Sequence, residues 1–179
     1  MVGNWQNSEY GRTLKEKFST FKNIHLLNPI YNQTELDMLR GNCSLYVHGH
    51  SAGGTNPSLV EAMALGLPIF SYDVSYNRTT TENRAKYFSN VEQLSNLLKT
   101  TSKESLEEMG KLMKKIAGVR YTWKVICKKY NFLIQTALYT NEKNSIISSY
   151  SNLAQEDLAL YNLEHLKFAD MFYNRRKSA

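Results

Sequence analysis

Two apolar runs, residues 44–47 and 68–72, enclose a glycine-rich turn and a segment with the signals of a helix. Apolar runs of this length between turn signals are typical of buried strands. Asn56 is a good N-cap for the helix, Pro57 suits its first position, and Gly66 fits the residue just past its end. A strand–helix–strand unit places its two strands parallel in one sheet. The segment therefore predicts an α/β fold.

The turn before this helix has the composition of an anion site. The helix is predicted over residues 57–65, and the free N–H groups of its first turn, with the helix dipole, carry partial positive charge. Gly53 and Gly54 leave the backbone open to a ligand. We predict a phosphate or diphosphate ligand here.

Polar side chains flank the turn on both sides. His48, His50 and Ser51 follow the first strand, at the carboxyl edge where open α/β sheets bind ligands. Glu61 lies one turn into the helix, from which its carboxylate reaches hydroxyl groups of a ligand anchored at the helix start. The alternative for each histidine is a structural ring bonded to the backbone.

The 179 residues suffice for one domain plus an appendage, with a net charge of +6 and a pI near 9.2. The sequence has no apolar run long enough to span a membrane and no leader-like start, so we expect a cytoplasmic protein. We expect Cys43 and Cys127 to be reduced core residues. The basic residues are spread along predicted helices, and these faces are either solvated or bind a membrane surface or anionic ligand.

Further elements are predicted along the chain. Residues 24–27 form a short strand, residues 86–88 an edge strand, and residues 73–84 a surface loop or short helix. Asn32 and Thr101 each open a helix with a capping box. Apolar stripes predict the remaining core helices, including one marked by Trp123, Ile126, Cys127, Tyr130, Ile134, Ala137 and Leu138.

The composition changes after residue 140, so we divide the chain into a domain of residues 1–140 and an extension of residues 141–179. The extension begins with a Ser/Asn-rich linker and continues with a helix over residues 153–173. The apolar residues of this helix cover more than one stripe. We expect it to form a homodimer with a second copy or to project from the domain; the alternative is that it closes its own core.

The elements of residues 1–140, with the motif HSAGGTNPSLVEAMALGLP at residues 50–68, resemble the C-terminal, donor-binding half of a GT-B glycosyltransferase of the retaining family four. The motif is most similar to bacterial rhamnosyltransferases that build capsule, O-antigen or other surface polysaccharides. The resemblance implies a Rossmann-like parallel sheet with helices on both faces. It also implies a retaining, metal-independent hexosyltransferase in the full-length protein.

The resemblance assigns roles to individual residues. Glu61 would hold the nucleotide ribose, the diphosphate and sugar would lie on the turn and helix start, and the turn at residues 28–31 would face the base. The family pattern has two glutamates eight positions apart: Glu61 matches the second, and the first falls on Gly53, which is consistent with a deoxysugar donor such as dTDP-rhamnose. His48 and His50 would then replace some of the sugar contacts. The donor-binding set is Asn28, Pro29, Ile30, Tyr31, His50, Ser51, Gly53, Gly54, Thr55, Asn56, Ser58 and Glu61, with His48 as a further sugar contact.

GT-B enzymes carry the acceptor site and a catalytic-side histidine on an amino-terminal domain, and none precedes Met1. We therefore expect a fragment or a truncated product that binds donor weakly and transfers nothing alone. Its catalytic residues are unknown and expected on that domain, which would bind a lipid-linked or polysaccharide acceptor, with peripheral association at the inner membrane face. The sequence has no Asp-x-Asp triplet or metal-spaced ligand cluster, so we expect no metal and no cofactor.

The leading interpretation has no nucleic-acid partner. One alternative is a nucleotide-sugar epimerase domain, which shares the architecture. The other is a basic module that uses its Lys/Arg helices on nucleic acid or a membrane surface.

Overall fold

The computed structural model of the protein describes residues 1–139, which form a mixed α/β fold. Its sheet has three parallel strands in the order β1-β2-β3: β1 (Tyr46–His48), β2 (Ile69–Tyr72) and β3 (Lys86–Phe88). The parallel pairing and the edge position of β3 confirm the predictions. The helices are α1 (Glu9–Phe18), α2 (Gln33–Gly41), α3 (Pro57–Ala64), α4 (Ser75–Thr80), α5 (Val91–Thr100), α6 (Lys103–Arg120) and α7 (Trp123–Tyr139).

Helix α3 ends as its sequence predicts. Its C-cap is Leu65, and Gly66 follows with φ +78°, a left-handed conformation that costs glycine little. The N–H of Gly66 donates to the carbonyl of Met63, and that of Leu67 to the carbonyl of Ala62. These bonds satisfy the last carbonyls of the helix and turn the chain into β2.

The core lies between β2, α3 and α6, and α6 contacts both of the others. Strand β2 is the middle strand, and its first three residues are fully buried. Burial of such apolar side chains is the main stabilising contribution to the fold. The core residues are Leu59, Ala62, Met63, Leu67, Ile69, Phe70, Phe88, Met109, Met113, Ile116 and Ala117.

The amino-terminal part forms less sheet than predicted. In place of a strand over residues 24–27, there is a single parallel bridge between Val2 and Leu27. The reason is that the opening segment offers Leu27 only the carbonyl of Met1 and the N–H of Gly3 as backbone partners. Helix α2 begins at Asn32 as predicted, but it buries none of its residues.

Two other predictions are wrong in detail. The cap of α6 is Ser102, whose hydroxyl accepts from the N–H of Ser105, and not Thr101. Thr101 instead donates to the carbonyl of Leu97 and so ends α5. Cys43 and Cys127 are unpaired as expected, but both are exposed, because neither packs against the β2–α3–α6 core.

The apolar stripe of α7 is largely uncovered in the described part of the chain. Trp123 is 83 % exposed and Leu138 is 71 % exposed, and Tyr130 and Ile134 are also exposed. The prediction of a core helix therefore fails for these side chains, since the described elements place nothing over them. The linker and helix predicted after residue 140 lie outside the described residues. Among residues 1–139, no helix has the length and apolar character needed to cross a bilayer.

Candidate functional site

The start of α3 has the predicted cap. Asn56 is extended, and its Oδ1 accepts from the Ser58 N–H at 3.0 Å and from the Ser58 hydroxyl at 2.7 Å. The carbonyl of Asn56 accepts from the N–H of Leu59, and Pro57 has no N–H. The donors of the first helical turn are therefore already used, which corrects the expectation that they are free for a ligand.

Main-chain N–H groups that are available to a ligand lie just before the helix, in residues 51–55. In the structure as described, no main-chain N–H of residues 51–55 donates a hydrogen bond to the protein. The same residues are exposed. A run of unpaired N–H groups in a glycine-rich turn next to a helix N-terminus is a concavity suited to an anion.

The two glycines of the turn differ in their surroundings. Gly53 has φ +105°, which a residue with a side chain rarely adopts, and a Cβ there would lie 3.5 Å from Nε2 of His50. Gly54 has no such backbone requirement, and a Cβ there would meet no protein atom within 4 Å. The protein's own packing therefore leaves open space above Gly54.

A row of three rings runs along β1 and past its carboxyl end. Tyr46, His48 and His50 alternate along the chain, with ring centroids 6.0 Å and 5.9 Å apart. The Tyr46 side chain hydrogen-bonds to that of Ser58, so the row lies beside the start of α3. Burial is the main reason that the pKa of Tyr46 is raised. The structure thus brings both histidines to the turn.

His48 is the buried member of the row. It is 4 % exposed, and its Nε2 has no hydrogen-bond partner among residues 1–139. Burial, with a smaller contribution from His50, lowers the pKa of His48 to about 4, so the ring is neutral at pH 7. Among the described residues, Nε2 therefore forms no bond to the backbone. His50 is exposed and lies next to Gly53.

Glu61 has a partner that the sequence did not suggest. Nη1 of Arg40, near the end of α2, donates to Oε2 of Glu61 in the second turn of α3. This ion pair joins α2 to α3. In the described part of the chain, the other carboxylate oxygen of Glu61 accepts no hydrogen bond from the protein.

Helix α4 is hydrogen-bonded to the segment that leads into the glycine-rich turn. Nδ2 of Asn77 donates to the carbonyls of His50 and Tyr72, each at 3.0 Å, so one fully buried amide joins the ends of β1 and β2. Oδ1 of Asn77 and the hydroxyl of Tyr76 are buried and have no hydrogen-bond partner in the described part of the chain. Residues 73–84 contain the short helix that was one of the two predicted forms, but the predicted surface position is wrong for Asn77, because its amide bonds to main-chain groups inside the fold.

Helix α6 and its C-cap anchor α4 in turn. Nη1 of Arg120 donates to the carbonyl of Thr79 at 2.7 Å, and the hydroxyl of Tyr121 donates to the carbonyl of Thr80 at 3.0 Å. Arg120 is 7 % exposed, and buried bonds of a charged donor are among the stronger ones in a fold. Hydrogen bonds thus connect the turn through α4 to α6, which is part of the core.

No described hydrogen bond or ion pair joins the turn at residues 28–31 to the predicted donor-binding residues around the start of α3. Asn28 accepts from Nζ of Lys15 at 3.3 Å, and Pro29 and Ile30 are half-buried. Tyr31 is 90 % exposed. The connection between this turn and the α3 start is α2, through Arg40.

A cavity of about 660 Å³ lies elsewhere. Its lining includes Ser44 and Pro68, which precede β1 and β2, and Gly66, which follows α3. It is therefore at the amino edge of the sheet, opposite the glycine-rich turn. Among residues 1–139, no group of three or more His, Cys, Asp or Glu side chains is placed to hold a metal ion.

The predicted donor-binding residues therefore divide into two sets. His48, His50, Asn56, Ser58 and Glu61 lie around the α3 start with Gly53 and Gly54, whereas no described hydrogen bond or ion pair joins residues 28–31 to them. A scan against models of protein families finds no family that matches the chain, and a search of curated proteins finds no relative of it.

Proposed function

We propose that the protein binds a nucleoside-diphosphate sugar at the glycine-rich turn before α3, as the donor-binding half of a GT-B glycosyltransferase. The fold in this proposal is a Rossmann-like sheet with helices on both faces. The observation that carries the proposal is the open space above Gly54, beside a turn whose N–H groups donate to no described residue. Such a place suits a diphosphate, because several main-chain donors and the α3 dipole act on one anion.

The side chains around the turn suit the rest of such a ligand. The Glu61 carboxylate has one oxygen free to accept from ribose hydroxyls. The neutral ring of His48 suits a sugar hydroxyl better than a phosphate, because it brings no charge. A deoxysugar such as rhamnose, carried by dTDP, is the donor that we propose.

The chemistry that we propose for the whole enzyme is retaining, metal-independent transfer of the sugar to a lipid-linked or polysaccharide acceptor in surface-polysaccharide synthesis. The turn would stabilise the diphosphate leaving group, on which negative charge develops as the glycosidic bond to it breaks. Acceptor binding would need a second domain. The chain of 179 residues would therefore show no transfer by itself, and transfer by this chain alone would contradict that division of labour.

The test is a titration of the ¹⁵N-labelled chain with UDP, dTDP and GDP, followed by NMR so that weak binding is measurable. We expect saturable shifts of the amide signals of residues 51–58 with one preferred base. Glu61→Ala should weaken binding about 10- to 100-fold, the equivalent of about 1.5–3 kcal/mol for a hydrogen bond to a charged group. Glu92→Ala, at an exposed position of α5, is the matched control and should bind like the wild type.

Two results would contradict the proposal. One is the absence of shifts at the turn with all three nucleotides. The other is binding of any polyanion with strong salt dependence and no effect of Glu61→Ala, which would favour a basic binding module.

A further inference from the structure

The ion pair between Arg40 and Glu61 is only partly exposed to solvent and joins two helices. The Arg40 side chain is 16 % exposed and that of Glu61 is 39 % exposed, and the two residues come from different helices. A largely buried guanidinium needs a partner, because an unpaired buried charge is costly. Glu61 is that partner.

One of the two carboxylate oxygens of Glu61 is available to a ligand. Only Nη1 of Arg40 contacts it, through Oε2, and Oε1 accepts from no described residue. A carboxylate fixed at one oxygen loses less rotamer freedom when its other oxygen accepts from a ligand. Arg40 thus orients an acceptor without occupying it.

The pair also changes the charge that a ligand meets. A nucleoside diphosphate is an anion, and a bare carboxylate beside it would repel it through a partly desolvated region. With Arg40 in contact, the net charge of the pair is zero. Glu61 then offers a hydrogen-bond acceptor without the repulsion.

We infer that Arg40 is a positioning residue of the donor site, which orients the Glu61 carboxylate toward ligand hydroxyls and cancels its charge against the diphosphate. This inference rests on the proposed function. It assigns a role to α2, which has no fully buried residue but carries Arg40 to α3.

The test is a double-mutant cycle with the full chain, with UDP, dTDP and GDP as probes. Arg40→Met should weaken nucleotide binding about tenfold or more at low salt, and the deficit should shrink in 0.5 M NaCl as screening removes repulsion. Arg40→Lys should recover part of the affinity. Arg84→Met removes the same charge at an exposed position and should leave binding unchanged.

The decisive readout is the sign of the Glu61→Gln effect. In the wild type this change should weaken binding, whereas in the Arg40→Met background it should strengthen binding, because it removes an unpaired negative charge. A purely structural role of Arg40 would lower the denaturation midpoint and weaken binding without this reversal.

The outcomes separate the two claims. If the wild type binds no nucleotide, the proposed function fails and this inference fails with it. If the wild type binds but Arg40→Met, shown to be folded by its NMR spectrum, binds equally well, the inference is wrong and the proposed function stands. Equal weakening by Glu61→Gln in both backgrounds would also overturn the inference.

Discussion

The Asn77 side chain holds the main-chain carbonyl of His50, with 3.0 Å between Nδ2 and the oxygen, although 27 positions separate the two residues. The same amide nitrogen bonds to the carbonyl of Tyr72 at 3.0 Å. The carboxyl ends of β1 and β2 are thereby fixed to one fully buried side chain. The glycine-rich turn starts from this fixed point.

Asn77→Asp should destabilise the protein by about 2–4 kcal/mol. The change keeps the shape of the side chain but replaces the donor with an acceptor, which leaves two carbonyls unpaired in a buried place. Denaturant unfolding measures the difference. Asn96→Asp, at an exposed position of α5, is the control and should stay within about 0.5 kcal/mol of the wild type. Equal stability of the two variants would show that Asn77 does not hold the turn.

The stability of the protein should fall as the pH drops from about 6.5 to about 4, because of His48. The folded state keeps the ring neutral down to a pKa of about 4, while the unfolded chain takes up a proton near 6.5. The stabilisation is therefore complete above pH 6.5 and is lost through that window, by roughly 3 kcal/mol. Unfolding measured at pH 7.5 and pH 4.5 tests this.

His48→Asn removes the titrating group and should flatten that pH dependence, whereas His25→Asn, at an exposed position, should not. The pKa of Asp73 is lowered by its hydrogen bonds from Arg78, so the stabilisation by this carboxylate is lost only below about pH 3.8. The loss of the Asp73 contribution therefore lies below the pH range of 4 to 6.5 that is assigned to His48. The same slope in wild type and His48→Asn would refute the assignment to His48.

Much of the local structure could be predicted from short-range signals. The start of α3 follows from Asn56 and Pro57, and its end from Gly66, because caps and glycine turns act within a few residues. The parallel pairing of β1 with β2 follows from the short helix between them. The candidate site rests on the same kind of signal, because a glycine turn between a strand and a helix is local.

The parts that could not be predicted depend on contacts between distant segments. The polarity of residues 73–84 is typical of a surface loop, yet Asn77 is buried because two carbonyls of other segments need its amide. No pattern in α2 indicates that Arg40 contacts Glu61, 21 positions later. For α7, an apolar stripe predicts a helix but does not supply the surface that would cover Trp123.

Asn56→Ala should lower the free energy of unfolding by about 1 kcal/mol through the lost cap of α3. Asn32→Ala removes the same kind of cap from α2. Because α2 buries no residue, it can fray without disturbing the core, and the second change should have a smaller effect on global unfolding. Chemical denaturation compares the two variants. An unaltered midpoint for Asn56→Ala would argue against this cap.

Both cysteines should react with a thiol reagent in the folded protein. Cys43 and Cys127 are free and exposed, so two equivalents of an aromatic disulfide reagent should be consumed without denaturant. The variants Cys43→Ser and Cys127→Ser should each remove one equivalent. A thiol that reacts only after unfolding would place that residue in a buried environment.

The most direct test of the nucleotide site is Gly54→Ala, measured for both nucleotide affinity and stability. The added methyl group meets no protein atom within 4 Å, so the melting temperature should be unchanged or slightly higher. If a diphosphate occupies that space, affinity for the preferred nucleotide among UDP, dTDP and GDP should fall at least tenfold. Gly118→Ala, which also meets open space but lies in α6, should leave that affinity intact. Wild-type affinity in a stable Gly54→Ala protein would contradict the account.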